Sequence, residues 1–452
     1  MNVRAALTLC LIALSVAVLL AAATGFGPAD QAARSLFCAL CLLGLTTSTI
    51  REWLLLTAAL ILAALLIRSG AAGYETLWSA LDLAAFFAAF IALLTVLKIA
   101  AERSRGILTV GHYLTAQRAG RRYYATALGG HVFGVFLNFG AISLMAPLIQ
   151  KSAVTADGTP DPALERRQLT GLMRGFAWIL LWAPTTLSQA VLLTLFTDVD
   201  WPRLVVIGLA TSVVMIGIGR LYDRWEWPRS LAEAPKLAVP WSAMGKVAAV
   251  CTLLIAGTLT LRAVAGFSTA LALMFVAPAV TAAWFAAQAR AGTGRMGDLP
   301  GILSASAPAL ARSGIALGLS GFIGRALAQV LPVEAWAAAA DLSSVPGWLF
   351  LATLPILITL GGQVAISPIM LVVFIGQVIA TIPVLPAEPT HIVFALSAGW
   401  AISMLASPNA TATLLVSATT GIAPTTLTWR WNLKYALICY VVFVGIFALL
   451  TA

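Results

Sequence analysis

The chain has 452 residues, 61% of them apolar and only 10% charged, with a formal net charge of +10 and a mean hydropathy of +0.97. A soluble domain carries roughly 45–50% apolar and about 25% charged residues, so this composition excludes an ordinary soluble fold and describes an all-α polytopic membrane protein. The bases lie mostly in short loops, where they set orientation, and no basic arm interleaved with aromatics offers a nucleic-acid surface.

Crossing a hydrocarbon core of about 30 Å takes about 20 apolar residues. The first apolar run follows Arg4 and exceeds the roughly 7–15-residue core of a signal peptide, so it reads as a transmembrane helix over 5–23. Further spans are expected at 36–50, 53–67, 77–97, 169–197, 203–219, 242–264, 267–288, 302–330, 391–419 and 431–451, about eleven in all. Cys10, Cys38, Cys41, Cys251 and Cys439 all sit in apolar segments. Cys38 and Cys41 form a C-x-x-C with no second pair and no nearby histidine, which reads as small membrane-buried residues and not as a redox or zinc site.

Two apolar stretches do not fit simple spans. Residues 123–150 carry Gly129, Gly130, Gly134, Asn138, Gly140 and Pro147; residues 347–380 carry Pro355, Gly361, Gly362, Pro368 and Gly376. A polar, glycine-rich middle between two short apolar arms predicts a re-entrant hairpin, tolerated at membrane depth where its tip lines protein or a wet cavity.

Two of the long spans are interrupted. Gly175 to Gln189 reads G-F-A-W-I-L-L-W-A-P-T-T-L-S-Q, and 224 residues later Gly399 to Thr413 reads G-W-A-I-S-M-L-A-S-P-N-A-T-A-T. Gly175, Ala177, Leu181 and Pro184 match Gly399, Ala401, Leu405 and Pro408, and Phe176 falls on Trp400. In the hairpins, Ala141-Ile142-Ser143 matches Ala365-Ile366-Ser367 at the same offset. Positive charge then orients the chain. Lys98, Arg103, Arg105, Arg118, Arg121 and Arg122 form one basic segment, followed by Lys151, Arg166 and Arg167, by Arg220, Arg224, Arg229 and Lys236, by Arg290 and Arg295, and by Arg430 and Lys434. Asp198, Asp200, Glu334, Asp341 and Glu388 mark the opposite loops. The basic clusters all become cytoplasmic if the N-terminus is inside and each hairpin enters and leaves by one face. This gives an extra helix (1–30) and an inverted-topology repeat, 31–236 and 237–452, around a midplane site.

Apolar hairpin, broken helix with a polar tip, and the same again inverted resembles the ion-transporter superfamily, which includes divalent-anion/sodium symporters, citrate transporters, arsenite permeases and the large membrane subunits of TRAP transporters. The resemblance is architectural and covers nearly the whole chain. It implies a secondary active transporter of a small organic anion in a bacterial-type inner membrane. The Ser-Asn-Thr triplet usual at those hairpin tips is absent: the tips here read L-N-F-G-A-I-S (Leu137 to Ser143) and G-G-Q-V-A-I-S (Gly361 to Ser367).

Pro184 and Pro408 cannot donate a backbone hydrogen bond, so each frees carbonyls at mid-membrane. An unwound helix offers carbonyls to a cation and a half-helix N-terminus to an anion. The candidate binding residues are therefore Thr185, Thr186 and Ser188, with Gln189 beside them, at the first break and Ser407, Asn409, Thr411 and Thr413 at the second. Asn138 and Ser143, and Gln363 and Ser367, join them from the hairpin tips. Ionisable groups at membrane depth cost about 2.5–3.5 kcal/mol at a helix centre on insertion scales. That makes Arg312 a candidate counter-charge for an anion, and His131 and Asp82 candidate proton relays. Arg174 and Arg325 lie nearer helix ends and are expected to snorkel to the interface. The sequence holds no Walker loop, no HExxH and no acidic metal cluster, and His112, His131 and His391 are dispersed. The expectation is a transporter, not an enzyme, without cofactor or metal. Na+ or H+ coupling is open, and so is the choice between uptake and export of an oxyanion or metabolite. A membrane-embedded enzyme or assembly factor is the reading from another class. The expected partners are a small-molecule solute and the lipid bilayer, with a homodimer left open.

Overall fold

The structure, a computed structural model, describes residues 3–102, 104–117, 121–155, 158–196, 198–227, 238–290, 299–332, 335, 344–364, 366, 368–380, 382 and 384–452. Ser367 and Ala365, and the loop charges Arg103, Arg118, Arg229, Lys236, Arg295, Glu334 and Asp341, lie outside these residues.

Helices account for nearly all of it: α1 (Val3–Thr24), α2 (Gly27–Gly44), α3 (Ile50–Arg68), α4 (Ala71–Glu102), α5 (Arg105–Thr115), α6 (Arg122–Leu137), α7 (Gly140–Ser152), α8 (Pro162–Ala177), α9 (Leu187–Leu195) and α10 (Trp201–Glu226). After these come α11 (Trp241–Ala265), α12 (Thr269–Arg290), α13 (Leu299–Val330), α14 (Gly347–Gln363), α15 (Pro368–Ala380), α16 (Pro389–Ala406), α17 (Thr411–Thr420) and α18 (Leu433–Thr451). Among the described residues nine segments are long and apolar enough to cross a membrane, and α14 and α15 are shorter apolar helices. Two expected spans fall short for physical reasons. α2 starts earlier than predicted and takes in Asp30 and Arg34, and the 169–197 stretch is cut into short pieces by its break. A further element, α5, occupies the basic segment read as a loop. It is amphipathic and buries Ile107, Val110, Gly111 and Thr115.

The chain forms two compact units, one of Met1–Ala100, Leu254–Leu342 and Ile369–Val384, the other of Ala101–Leu253, Ser343–Pro368 and Leu385–Ala452. Each unit draws on both the 31–236 and 237–452 halves. In the first, α13 turns Gly314, Gly318 and Gly321 to Ala88, to Phe37 and the Ala84 carbonyl, and to Phe87, the small-residue contact that lets membrane helices approach closely. In the second, α6 packs along α8 and α14 along α16. Every residue from Arg167 to Leu181 is buried, as is every residue from Thr390 to Ala406. Segments buried on every side lie at the core, so the two broken helices form the centre of this unit.

The first predicted hairpin is α6 and α7, joined by Asn138 and Phe139 and packed on each other. The second predicted hairpin falls on α14 and α15, which follow one another in the chain, with α14 in the second unit and nearly all of α15 in the first.

Candidate solute site at the two helix breaks

The first break begins where α8 tightens into a 3₁₀ turn, Trp178–Leu181, before α9 starts at Leu187. Pro184 has no N–H for the carbonyl four residues back, Leu180. Two side chains from the far side of the break replace it: Gln189 Nε2 donates to the Leu180 oxygen at 2.8 Å and Ser188 Oγ at 3.1 Å. Gln189 Nε2 also donates to Ser397 Oγ on α16 at 3.0 Å. Thr186 caps α9 and donates to the Ala183 carbonyl at 2.7 Å. Thr185 donates to the Val135 carbonyl on α6. All four polar side chains are at most 3% exposed. The first break is bonded inward.

The second break repeats the device. Pro408 frees the Met404 carbonyl, and Thr413 Oγ1 donates to it at 3.2 Å. Leu180, Pro184 and Gln189 thus correspond to Met404, Pro408 and Thr413, each 224 residues on. Where Thr185 reaches α6, its counterpart Asn409 reaches α14: Asn409 Nδ2 donates to the Gly362 carbonyl at 3.0 Å, which also accepts from Ser407 Oγ at 2.6 Å. Gln363 closes the arrangement, donating from Nε2 to the Ala406 carbonyl at 3.2 Å and accepting at Oε1 from Trp429 Nε1 at 2.9 Å.

The two copies differ at the start of the following helix. α17 is preceded by Ala410, which offers no side-chain cap, so its first N–H groups keep the partial positive charge of a helix N-terminus. Thr411 sits half-buried on that first turn. The second break is the open one.

At the first hairpin tip Asn138 has φ 51° and ψ −130°, the only positive φ outside glycine among the described residues. Its Oδ1 is buried without a hydrogen-bond partner. Ser143 Oγ donates weakly to the Phe139 carbonyl at 3.4 Å. The second arm, α7, packs against α17, and Gln150 Nε2 donates to the Thr420 carbonyl at 3.3 Å. Matched glycines hold each broken helix to its neighbour. A methyl on Gly175 would run into the Ala127 carbonyl of α6, and one on Gly399 would stand 2.9 Å from Pro355 Cα of α14.

The remaining candidates have local partners. His131 Nε2 accepts a hydrogen bond from Trp182 Nε1 at 3.2 Å, so Nδ1 carries the ring proton and donates to the Gly175 carbonyl at 3.0 Å. The ring is neutral with both nitrogens engaged. Asp82 and Arg312 belong to the first unit. Asp82 accepts at both oxygens from Arg34, at 2.6 and 2.8 Å, and Arg312 Nη1 faces the Thr47 carbonyl at 3.5 Å. Arg325 bonds Gln377 at 2.7 Å and Ser79 at 3.3 Å. Arg174 does not snorkel. It is 1% exposed, donating to Asn432 Oδ1 at 2.9 Å and the Trp431 carbonyl at 3.1 Å, with the Tyr222 and Tyr435 rings at 5.0 and 4.6 Å. The Asn432 turn and the Tyr222 and Tyr435 rings cover it, so its guanidinium is satisfied within the protein. The parts played by Trp429 and the Gly362 carbonyl carry no sequence signal, whereas Gln189 is legible as a polar residue just after the first break.

Among the described residues the chain is all-helical, with one packed helical hairpin, two broken helices and nine segments long and apolar enough to cross a membrane. Solved structures share this fold, two of them as follows. One is the Alcanivorax borkumensis YdaH transporter, described as having an unusual topology (TM-score 0.57, 16% identity, covering 89% of this chain and 98% of that one). The other is Neisseria gonorrhoeae MtrF, of a class of antimetabolite efflux pumps (TM-score 0.57, 12% identity, covering 89% and 95%). No protein-family model matches the sequence, and no curated protein matches it.

Proposed function

We propose that the chain is a secondary active transporter of a small anionic organic solute, working by alternating access and driven by a Na+ or H+ gradient. The observation that carries this reading is the second break. An uncapped helix N-terminus, the Thr411 hydroxyl and the Asn409 amide meet there beside a hairpin arm, the combination by which a half-helix receives an anion. The 224-residue correspondence of proline, freed carbonyl and replacement donor supports an inverted pair of halves. The charge bias supports a cytoplasmic N-terminus in an inner membrane. His131 and Asp82 have their polar atoms engaged, so the proposal places coupling at the breaks and not on those two residues. Export is the second reading, favoured by the likeness to an efflux pump.

The test is purified protein in liposomes, screened with labelled dicarboxylates, sulfonates and amino acids, with and without Na+ or H+ gradients. Movement of one solute class under one gradient is expected, and its preferred direction separates uptake from export. Thr411→Val, which keeps the side-chain shape and removes the hydroxyl, should raise KM by roughly two- to twelvefold, the value of one hydrogen bond of about 0.5–1.5 kcal/mol. If no solute moves under any gradient, the reading fails.

A further inference from the structure

The second unit contains a cavity of about 440 Å³ between α14, α16 and α18, bordered at one end by Gln363, Ala406 and Trp429 of the second break. Its α18 wall is Leu433, Ala436, Leu437 and Tyr440, the spacing of a single helix face. Leu433 to Tyr440 spans about 10 Å at 1.5 Å per residue. The rim on the other side includes Ile356 and Leu360 of α14, and Ile356, Leu360 and Leu437 are exposed. On a transmembrane helix, exposed leucines and isoleucines face lipid. The cavity is therefore an apolar slot open to the bilayer. One end is closed by the Trp429–Gln363 hydrogen bond.

Beside that end stand Arg430, which closes the π turn Thr426–Arg430, and Lys434, four residues on in the first turn of α18, both exposed. Neither has a hydrogen bond or ion pair among the described residues. The nearby carboxylates are already taken. Asp223 accepts from Arg167 at 2.7 Å and from Arg220 at 2.8 Å, and Glu226 accepts from Arg166. Arg166 also lies over the Trp431 ring at 5.6 Å, which joins that ion network to this turn. Two unpaired cations at the polar end of an apolar, lipid-open slot fit a ligand with negative charge at one end and hydrocarbon at the other. A free anion leaves the slot empty, and a zwitterionic lipid gives the cations no net partner.

We propose that this cavity holds an acyl chain of an anionic phospholipid whose phosphate is bound by Arg430 and Lys434. The site does not depend on which solute the breaks hold, and it shares only its Gln363, Ala406 and Trp429 end with them.

The experiment uses the full chain in detergent micelles, with bound lipid counted by intact-complex mass spectrometry. Phosphatidylglycerol and phosphatidylcholine of identical chains compete, and sn-glycerol 3-phosphate serves as the soluble headgroup probe. Phosphatidylglycerol should be preferred by about thirtyfold, at roughly fivefold per basic side chain. The double variant Arg430→Gln/Lys434→Gln should lose most of that preference. Leu437→Trp, which fills the slot from its exposed rim, should lower phosphatidylglycerol retention although both cations remain. Ile356→Trp fills the same slot from α14 and should lower retention in the same way, which keeps the test available should Leu437→Trp fail to fold. Equal retention of the two lipids overturns the site. So does an unchanged preference in the double variant, or displacement of the lipid by equimolar glycerol phosphate.

Discussion

Arg174 is the residue whose environment departs most from what its position suggests. A buried guanidinium needs partners for its donors, and here it has an amide oxygen, a main-chain carbonyl and two aromatic faces. No carboxylate is among them. Lysine cannot reproduce a planar fork lying between two rings. Arg174→Lys is expected to cost about 1.5–3 kcal/mol, the range for hydrogen bonds to charged groups, read as a lowered melting temperature in detergent. An unchanged melting temperature would show that the fork is not holding α8 to the turn before α18. The sequence places Arg174 near a helix end, which is correct, and implies snorkelling, which is not. Burial of that end depends on which helices pack over it, and no local pattern around Arg174 encodes those neighbours.

The breaks were legible as elements, because a proline inside an apolar run must strand the carbonyl four residues before it. What replaces the lost donor was only half legible. Gln189 and Thr413 differ in chemistry and match only in position, and what they share is the carbonyl they reach across the break. The device can be tested by restoring the missing N–H. Thr413→Val should cost about 1–3 kcal/mol by leaving the buried Met404 carbonyl unpaired. In a Pro408→Ala background, residue 408 can donate to Met404, so the same substitution should cost much less. The double-mutant cycle should then give a coupling of about 0.5–3 kcal/mol. Additive effects would mean that Thr413 does not stand in for the proline's absent donor. The matched glycines make a graded comparison. Gly175→Ala drives a methyl into the Ala127 backbone carbonyl, whereas the tightest neighbour of a methyl on Gly399 is the Ile358 Cδ1, at 2.6 Å, which can rotate away. Overpacking typically costs about 1–3 kcal/mol, and Gly175→Ala should lie above Gly399→Ala in melting-temperature loss.

At the scale of the molecule, the charge bias and the 224-residue offset propose an inverted pair, while the compact units cut across the two halves. These are different kinds of division. A repeat is a relation between sequences, and a compact unit is a relation between packed surfaces. The sequence could not foresee that α14 and α15 go to different units, because both are short apolar helices with no charge to distinguish them. The partition still bears on mechanism, since it places both breaks, both arms of the first hairpin and the first arm of the second in one body. If that body carries the solute, the two hairpin tips should open to opposite sides of the membrane in alternation. Single cysteines at Gly140 and Val364 test this in proteoliposomes, with a membrane-impermeant maleimide added from either side. Position 140 is expected to react from the cytoplasmic side in inward-facing protein and position 364 from the external side in outward-facing protein, with solute and coupling ion shifting the two rates in opposite senses. Reaction of both positions from one side only, in every solute and ion condition, would sink the opposed-hairpin arrangement while leaving the fold intact.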